Sequence, residues 1–240
     1  MNLKFVISYD GSCYQGSQKQ PNGLTIEDKL LKAFKKINIE TNIVLSGRTD
    51  KEVHATGQVF NCIVPDFWSD FSKLKEVLNR NLPTSIKILK VSKVKDDFHS
   101  RFHAKKRDYR YIITTKATTP FNDKFITYVP FVDEELLKKA IKEFIGVFDF
   151  KYFHKTGSDK DITVREIYNT IFYKYKDIYV FKFTANSYLR SQIRLMVGFL
   201  LAINDKKLTI EDLKKQLRLE KNIFKTPAKA NGLYLAKIKY

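Results

Sequence analysis

The run Ser46-Gly47-Arg48-Thr49-Asp50-Lys51-Glu52-Val53-His54-Ala55 sets a carboxylate two residues from a guanidinium and four from a histidine. It packs charges of both signs and a glycine between two β-rich runs, so it reads as a loop. Loops held on a rigid sheet are common mounts for reactive groups. A polar hairpin turn would use the same residue types. Asp50 with His54, and His99 with His103, are each four apart, a spacing that a metal-dependent nuclease would exploit on a helix. Neither segment reads as a helix, and no further carboxylate cluster accompanies either pair, so no metal site is expected.

Three other segments bear on chemistry. Phe98-His99-Ser100-Arg101-Phe102-His103-Ala104 leads into Arg107-Asp108-Tyr109-Arg110-Tyr111, where aromatic and basic residues interleave. On a strand, Tyr109 and Tyr111 share one face, and a tyrosine beside guanidinium groups suits stacking of an unpaired base, worth ~1–3 kcal/mol per base. An edge strand with half-buried tyrosines reads the same way. Ala185–Gly198 carries Arg190 and Arg194 four apart in an apolar stretch; if buried, either needs an anionic partner, because an unpaired core charge is very costly. Ala230-Asn231-Gly232-Leu233-Tyr234-Leu235 points Leu233 and Leu235 to one side of a strand, by default into a core.

The whole chain is basic. Lys and Arg number 44 against 26 Asp and Glu, a formal charge of +18, shared by both halves of the 240 residues. Such a field attracts polyanions, nucleic acid first and anionic membrane second. Lysine-rich compositional drift would give the same total. The nine arginines are more selective, since Arg48, Arg101, Arg107, Arg110, Arg190 and Arg194 fall in the segments above. No apolar run approaches the ~20 residues of a membrane span. Cys13 and Cys62 have no metal spacing and form no disulfide framework, and the N-terminal residues do not read as a signal peptide. A cytoplasmic setting follows as the expectation.

The elements that must position these groups follow from periodicity. Lys4–Tyr9 alternates as a strand; Thr25 with Asp28 forms a capping box that opens a helix with Ile26, Leu30, Phe34 and Ile37 on one face. Strands follow at Ile43–Leu45 and Gln58–Val64, a helix at Asp70–Asn81 and a strand at Ile86–Val94. This is the β-α-β-β-α-β order of ferredoxin-like and RNA-recognition folds. The second half is built in the same manner, from strand Tyr109–Thr115, helix Asp133–Ile145, strands Arg165–Tyr173 and Tyr179–Thr184, helices Tyr188–Ile203 and Thr209–Leu219, and strand Leu233–Ile238. The expected class is α+β, with two RRM/ferredoxin-like halves, residues 1–104 and 105–240, joined through a mostly antiparallel central sheet with helices packed on it.

In ordered pieces over nearly its whole length the chain resembles TruA-type tRNA pseudouridine synthases. The pieces are Tyr9-Asp10-Gly11 with Gly16 and Gln18, Gly47-Arg48-Thr49-Asp50, Val53-His54-Ala55, Gly57-Gln58-Val59, Asn81-Leu82-Pro83, and Asp97-Phe98-His99 with Arg101-Phe102. Arg107 with Tyr109-Arg110-Tyr111, Asp149-Phe150, Ile193-Arg194 with Val197-Gly198, and Gly232-Leu233-Tyr234-Leu235 complete them. Ser17 stands where the family usually has Trp, and Lys51-Glu52 where it usually has Ala-Gly. The first departure bears on packing or RNA contact near the N-terminal loop, the second on the shape of the loop holding Asp50.

The resemblance implies isomerisation of uridine to pseudouridine in the tRNA anticodon arm, around positions 38–40, on a flipped-out nucleotide. It implies no cofactor and no metal, since the product holds the atoms of the substrate. It assigns Asp50 as the essential carboxylate, Arg194 as its ionic partner, Tyr109 as the stacking residue, Arg48 as an RNA-holding group, and Leu233 or Leu235 as an apolar wall. Attack at C1′, attack at uracil C6 and proton removal at C2′ all remain open. The family is typically homodimeric. The rival reading is a non-catalytic RNA-binding protein with two RRM-like lobes, which accounts for the charge and Tyr109 but gives Asp50 no task.

Overall fold

Alternation along β1 (Asn2–Tyr9) drives Leu3, Phe5 and Ile7 fully inward. Thr25 caps α1 (Ile26–Lys35) through a reciprocal box with Asp28, and Ile26, Leu30 and Phe34 turn to the same core. Phe5 and Phe60 stack with centroids 4.6 Å apart, and Phe34 stands edge-on to both. Burying each such ring contributes about 2–3 kcal/mol. β2 (Val44–Leu45), β3 (His54–Ile63), α2 (Phe71–Asn81) and β4 (Ile86–Lys93) follow. β1 lies antiparallel between β4 and β3, with β2 beside the far end of β3. This is the expected split arrangement.

The computed structural model describes residues 1–21, 23–155 and 162–240. They divide into two units, Met1–Lys105 with Tyr234–Tyr240, and Lys106–Leu233. In the second unit β5 (Lys106–Thr114), β6 (Thr127–Tyr128), α3 (Glu134–Ala140), β7 (Gly146–Asp149), β8 (Val164–Tyr175) and β9 (Ile178–Ala185) precede α4 (Gln192–Asn204) and α5 (Ile210–Leu217). The strand order is β5-β9-β8-β7, antiparallel throughout, with β6 parallel to β5. Tyr111, Phe144, Phe153, Phe181, Phe183 and Phe199 are fully buried in its core. Both units are therefore α+β with mostly antiparallel pairing.

The last strand, β10 (Leu233–Lys239), runs parallel to β3, with Tyr234 opposite His54 and Leu235 opposite Ala55. Residues 234–240 thus belong to the first unit, where a division at 104/105 puts them in the second. The partners stand far apart in the chain, and no local pattern announces the pairing. Gly57 makes it possible, since a Cβ there would sit 2.3 Å from the Ala236 carbonyl oxygen.

Three element ends differ from the periodic reading. α1 stops at Lys35, because Asn38 turns left-handed (φ 57°) and Ile39, not Ile37, drops into the core. The Ile39 and Asn38 amides return to the carbonyls of Phe34 and Lys35, a Schellman closure. β3 starts at His54, four residues before the apolar run, because backbone pairing with β1 and β10 replaces side-chain pattern there. α4 starts at Gln192 and not at Tyr188, after a left-handed Ser191 (φ 59°). Arg190 therefore lies outside the helix that carries Arg194.

Candidate active site

In the first unit the Asp50 loop is fixed from its start. The Ser46 hydroxyl donates to Gln58 Oε1 (2.6 Å), Gln58 Nε2 donates to the Gly47 carbonyl (2.9 Å), and the Ser46 amide donates to the Val59 carbonyl (2.8 Å). Thr49 then turns inward. Its Oγ1 lies 2.9 Å from Tyr9 Oη, its amide donates to Ser17 Oγ at 2.8 Å, and its carbonyl accepts from the Ser17 amide at 3.1 Å. Each buried polar group of this knot has a partner, which is what a dry, rigid mount requires.

On either side of buried Thr49, Arg48 is exposed and Asp50 half-buried. The Val53 amide donates to the Asp50 carbonyl (3.2 Å), closing a turn in which Glu52 has φ 66°. That is the left-handed region where glycine is preferred, so the departure at Lys51-Glu52 leaves the turn in place with a side chain where the conformation favours none. Two glycines pass beneath the loop. A Cβ on Gly11 would lie 2.1 Å from the Val53 carbonyl oxygen, and one on Gly16 (φ 104°) 2.8 Å from that of Thr49.

The Tyr9 hydroxyl is pushed up to about 12 by burial, against the pull of its hydrogen bonds with Thr49 and Gln58. It stays neutral and keeps its bond to Thr49 at any physiological pH. His54 is buried, accepts the Gly11 amide at Nδ1 (3.0 Å) and stacks on Tyr234 with centroids 4.8 Å apart. Nδ1 also lies 3.4 Å from Asp10 Oδ1. His54 thus ties β1 to the end of the loop. Among the described residues no three His, Cys, Asp or Glu side chains gather as a metal site would need. Leu235 is fully buried one step along β10 from Tyr234.

In the second unit, Tyr109 on β5 pairs across to Phe183 and is 8% exposed. Tyr188 stands edge-on to its ring, centroids 5.2 Å apart at 82°. Burial raises the Tyr188 hydroxyl well above its ordinary range, and its oxygen is enclosed without a protein partner among the described residues. Asp108 is buried and accepts from Thr184 Oγ1, while Arg107 donates to the Asn186 carbonyl. The strand thus fixes Tyr109 from both sides.

Arg194, half-buried on α4, donates from Nε to the Ala228 carbonyl (2.9 Å), and the Ala228 amide returns to the Arg194 carbonyl (2.8 Å). This pins the plane of the guanidinium, whose two Nη groups carry four more N–H donors. Gly198 lets the 226–228 segment approach, since a Cβ there would lie 2.1 Å from the Thr226 carbonyl oxygen. Burial lifts the Tyr111 hydroxyl to about 12, while a bond with Thr127 and the Arg194 charge pull it down. Leu233 is buried, and its amide donates to the Ala230 carbonyl.

Of the residues that the sequence singles out, Asp50, Arg48 and Leu235 stand in the first unit and Tyr109, Arg194 and Leu233 in the second. Sequence reasoning missed the groups that hold them. Tyr9 and Gln58 stand within the family motifs, but their hydrogen-bonding tasks need tertiary distances. Tyr188 gave no signal beyond its place near Arg194.

The chain is similar to several known proteins. A family model described as tRNA pseudouridine synthase matches residues 5–103 and 140–240. tRNA pseudouridine synthase A of Campylobacter jejuni (strain RM1221) is 37% identical over 240 residues, covering all of both chains. The protein of that name from Wolinella succinogenes is 35% identical, over 98% of this chain and 92% of its own. That of Helicobacter pylori (strain J99) is 34% identical, over 99% of each.

Proposed function

The chain belongs to the tRNA pseudouridine synthase family, and from that premise we propose that it isomerises uridine in the tRNA anticodon arm, around positions 38–40, with Asp50 as the essential carboxylate. In this isomerisation the uracil N1–C1′ bond breaks, the base turns, and C5 bonds to C1′; C5 loses its hydrogen as a proton and N1 takes one up. Atoms and electrons balance without a co-substrate. A base in a stem cannot offer C1′ to a side chain, so the nucleotide is extruded, at a cost of a few kcal/mol. Tyr109 stacks on the extruded base and Arg48 holds the backbone around it. Arg194 is the cation that this reading assigns to the Asp50 carboxylate, and Leu233 or Leu235 supplies the apolar wall.

The observation that carries this reading is the mount of Asp50. A half-buried carboxylate follows directly on Thr49, which is fastened by three hydrogen bonds. A surface turn needs no such fixing, whereas a reacting carboxylate must be held within fractions of an ångström. Pinning the Arg194 guanidinium through Nε is the complementary device.

Release of tritium from tRNA labelled at uracil C5 measures the reaction. Asp50→Asn is expected to lower the single-turnover rate by roughly 10³-fold or more, with tRNA affinity changed little. Near-normal release by Asp50→Asn overturns the assignment of Asp50. No release by the wild-type protein favours the non-catalytic RNA-binding reading.

We also propose a homodimer. Val147, Val164, Tyr168, Ile171 and Tyr175 are exposed along β7 and β8, a larger apolar face than scattered surface residues make. Free Cys13 and Cys62 suit a reducing cytoplasm. Among the described residues no helix is long and apolar enough to cross a membrane.

A further inference from the structure

Arg190 is not used in the reaction described above, and the structure gives it different company from Arg194. The left-handed Ser191 turns the chain just before α4, so Arg190 projects from the surface while Arg194 lies half-buried in the first turn of the helix. Arg190, Lys155 and Lys225 line a surface hollow of about 330 Å³, with His154 and Leu195 completing its wall. The Lys155 amide donates to the Arg190 carbonyl (3.1 Å), which ties the two sides of the hollow together.

The charge is one-sided. Among the described residues no carboxylate lines the hollow. Among them, too, none of its three cations is paired with an acid, although Lys138, Lys206, Lys207, Lys214 and Arg218 of the same unit all are. Among the described residues His154 Nδ1 is enclosed without a hydrogen-bond partner. Three like charges around one concavity repel one another and focus a positive potential there, an arrangement stabilised by a multiply charged anion. A guanidinium fork flanked by two ammonium groups matches a tetrahedral phosphate with several acceptor oxygens. The volume is about ten times the ~30 Å³ share of one water, enough for a phosphodiester.

We propose that this hollow holds one backbone phosphate of the tRNA, and so sets the register of the strand on the second unit. The proposal rests on the isomerase reading for the identity of the RNA. Leu195 in the wall belongs to the same first turns of α4 as Arg194. The phosphate positions and carries no sequence information. Its effect therefore belongs in affinity and salt dependence, not in the rate of the bound complex.

The test uses the full chain with Arg190→Gln and Lys225→Gln combined; both residues are exposed, so the fold is retained. Binding of fluorescent tRNA is followed against salt concentration. Losing one phosphate contact lowers the slope of log affinity against log salt by about 0.7–0.9, with single-turnover tritium release at saturating tRNA unchanged. Lys138→Gln with Lys214→Gln removes the same charge from elsewhere on the unit and is expected to leave the slope near wild type. An unchanged slope in the first variant, or an equal loss in the control, overturns the proposal. Tight binding of inorganic pyrophosphate by wild type, lost in the first variant, would assign the hollow to a small phosphorylated ligand and overturn the RNA assignment. A wild-type protein that binds tRNA but releases no tritium overturns the isomerase reading, while the salt slopes still report on the hollow.

Discussion

Glu52 shows what a single residue costs at this site. Its φ of 66° places a side chain where L-residues are strained by about 1–2 kcal/mol. The ion pair with Lys51 is exposed and 3.7 Å long, and such pairs contribute little. Replacing Glu52 by glycine relieves the strain but gives the unfolded chain more freedom, a loss of about 0.5–1 kcal/mol. Glu52→Gly is therefore expected to stabilise the protein by roughly 0.5–1 kcal/mol, read as a higher midpoint in urea with an unchanged slope. Destabilisation would mean that the Glu52 side chain has a task in the loop. Ser17 teaches the converse. Where the family usually has a bulky ring, its small hydroxyl and amide make two hydrogen bonds to Thr49, so this departure still serves the Asp50 mount.

Elements are held here by close backbone approaches. Gly57 is the clearest case, since β10 passes within reach of any Cβ at that position. Gly57→Ala must push β10 away from β3 or distort both, at a cost typical of overpacking, about 1–3 kcal/mol. Hydrogen exchange is expected to rise first in residues 234–239, with β1 and β4 protected as before. Uniform loss of protection would show that β10 unfolds only with the whole unit. The same close approach recurs where Gly198 admits the segment that pins Arg194. A glycine in an apolar helix therefore serves the guanidinium four residues earlier.

At the scale of the molecule, pH and association test the arrangement. Tyr9 and Tyr111 are both pushed to about 12 by burial, from an unfolded value near 10. Below pH 10 both states are neutral and the contribution is complete. Between pH 10 and 12 the unfolded tyrosines ionise while the folded ones do not, so stability falls as pH rises. Each contributes on the order of 2 kcal/mol to that loss, and Tyr9→Phe is expected to flatten the fall measured by urea midpoints across this range. The proposed dimer is checked by sedimentation. Ile171→Asp, at an exposed position of β8, is expected to shift the protein to monomer without unfolding it, and an unchanged sedimentation coefficient would remove that face from consideration.

The sequence by itself determined much that is local. The Thr25 capping box, the alternation in β1, β8 and β9, and the starts of the amphipathic helices α1, α2 and α5 appear where periodicity and end signals put them, because those signals act over a few residues. The Arg48-Thr49-Asp50 loop was legible for the same reason, and the ordered motifs carried the family. The tertiary structure alone decided that β10 lies beside β3, that α4 begins only after Ser191, and that Tyr9, Ser17 and Gln58 hold the loop carrying Asp50. Most of those outcomes depend on hydrogen bonds and contacts between residues far apart in the chain. Such contacts are chosen by which buried polar groups find partners in three dimensions, and linear spacing carries no record of that choice.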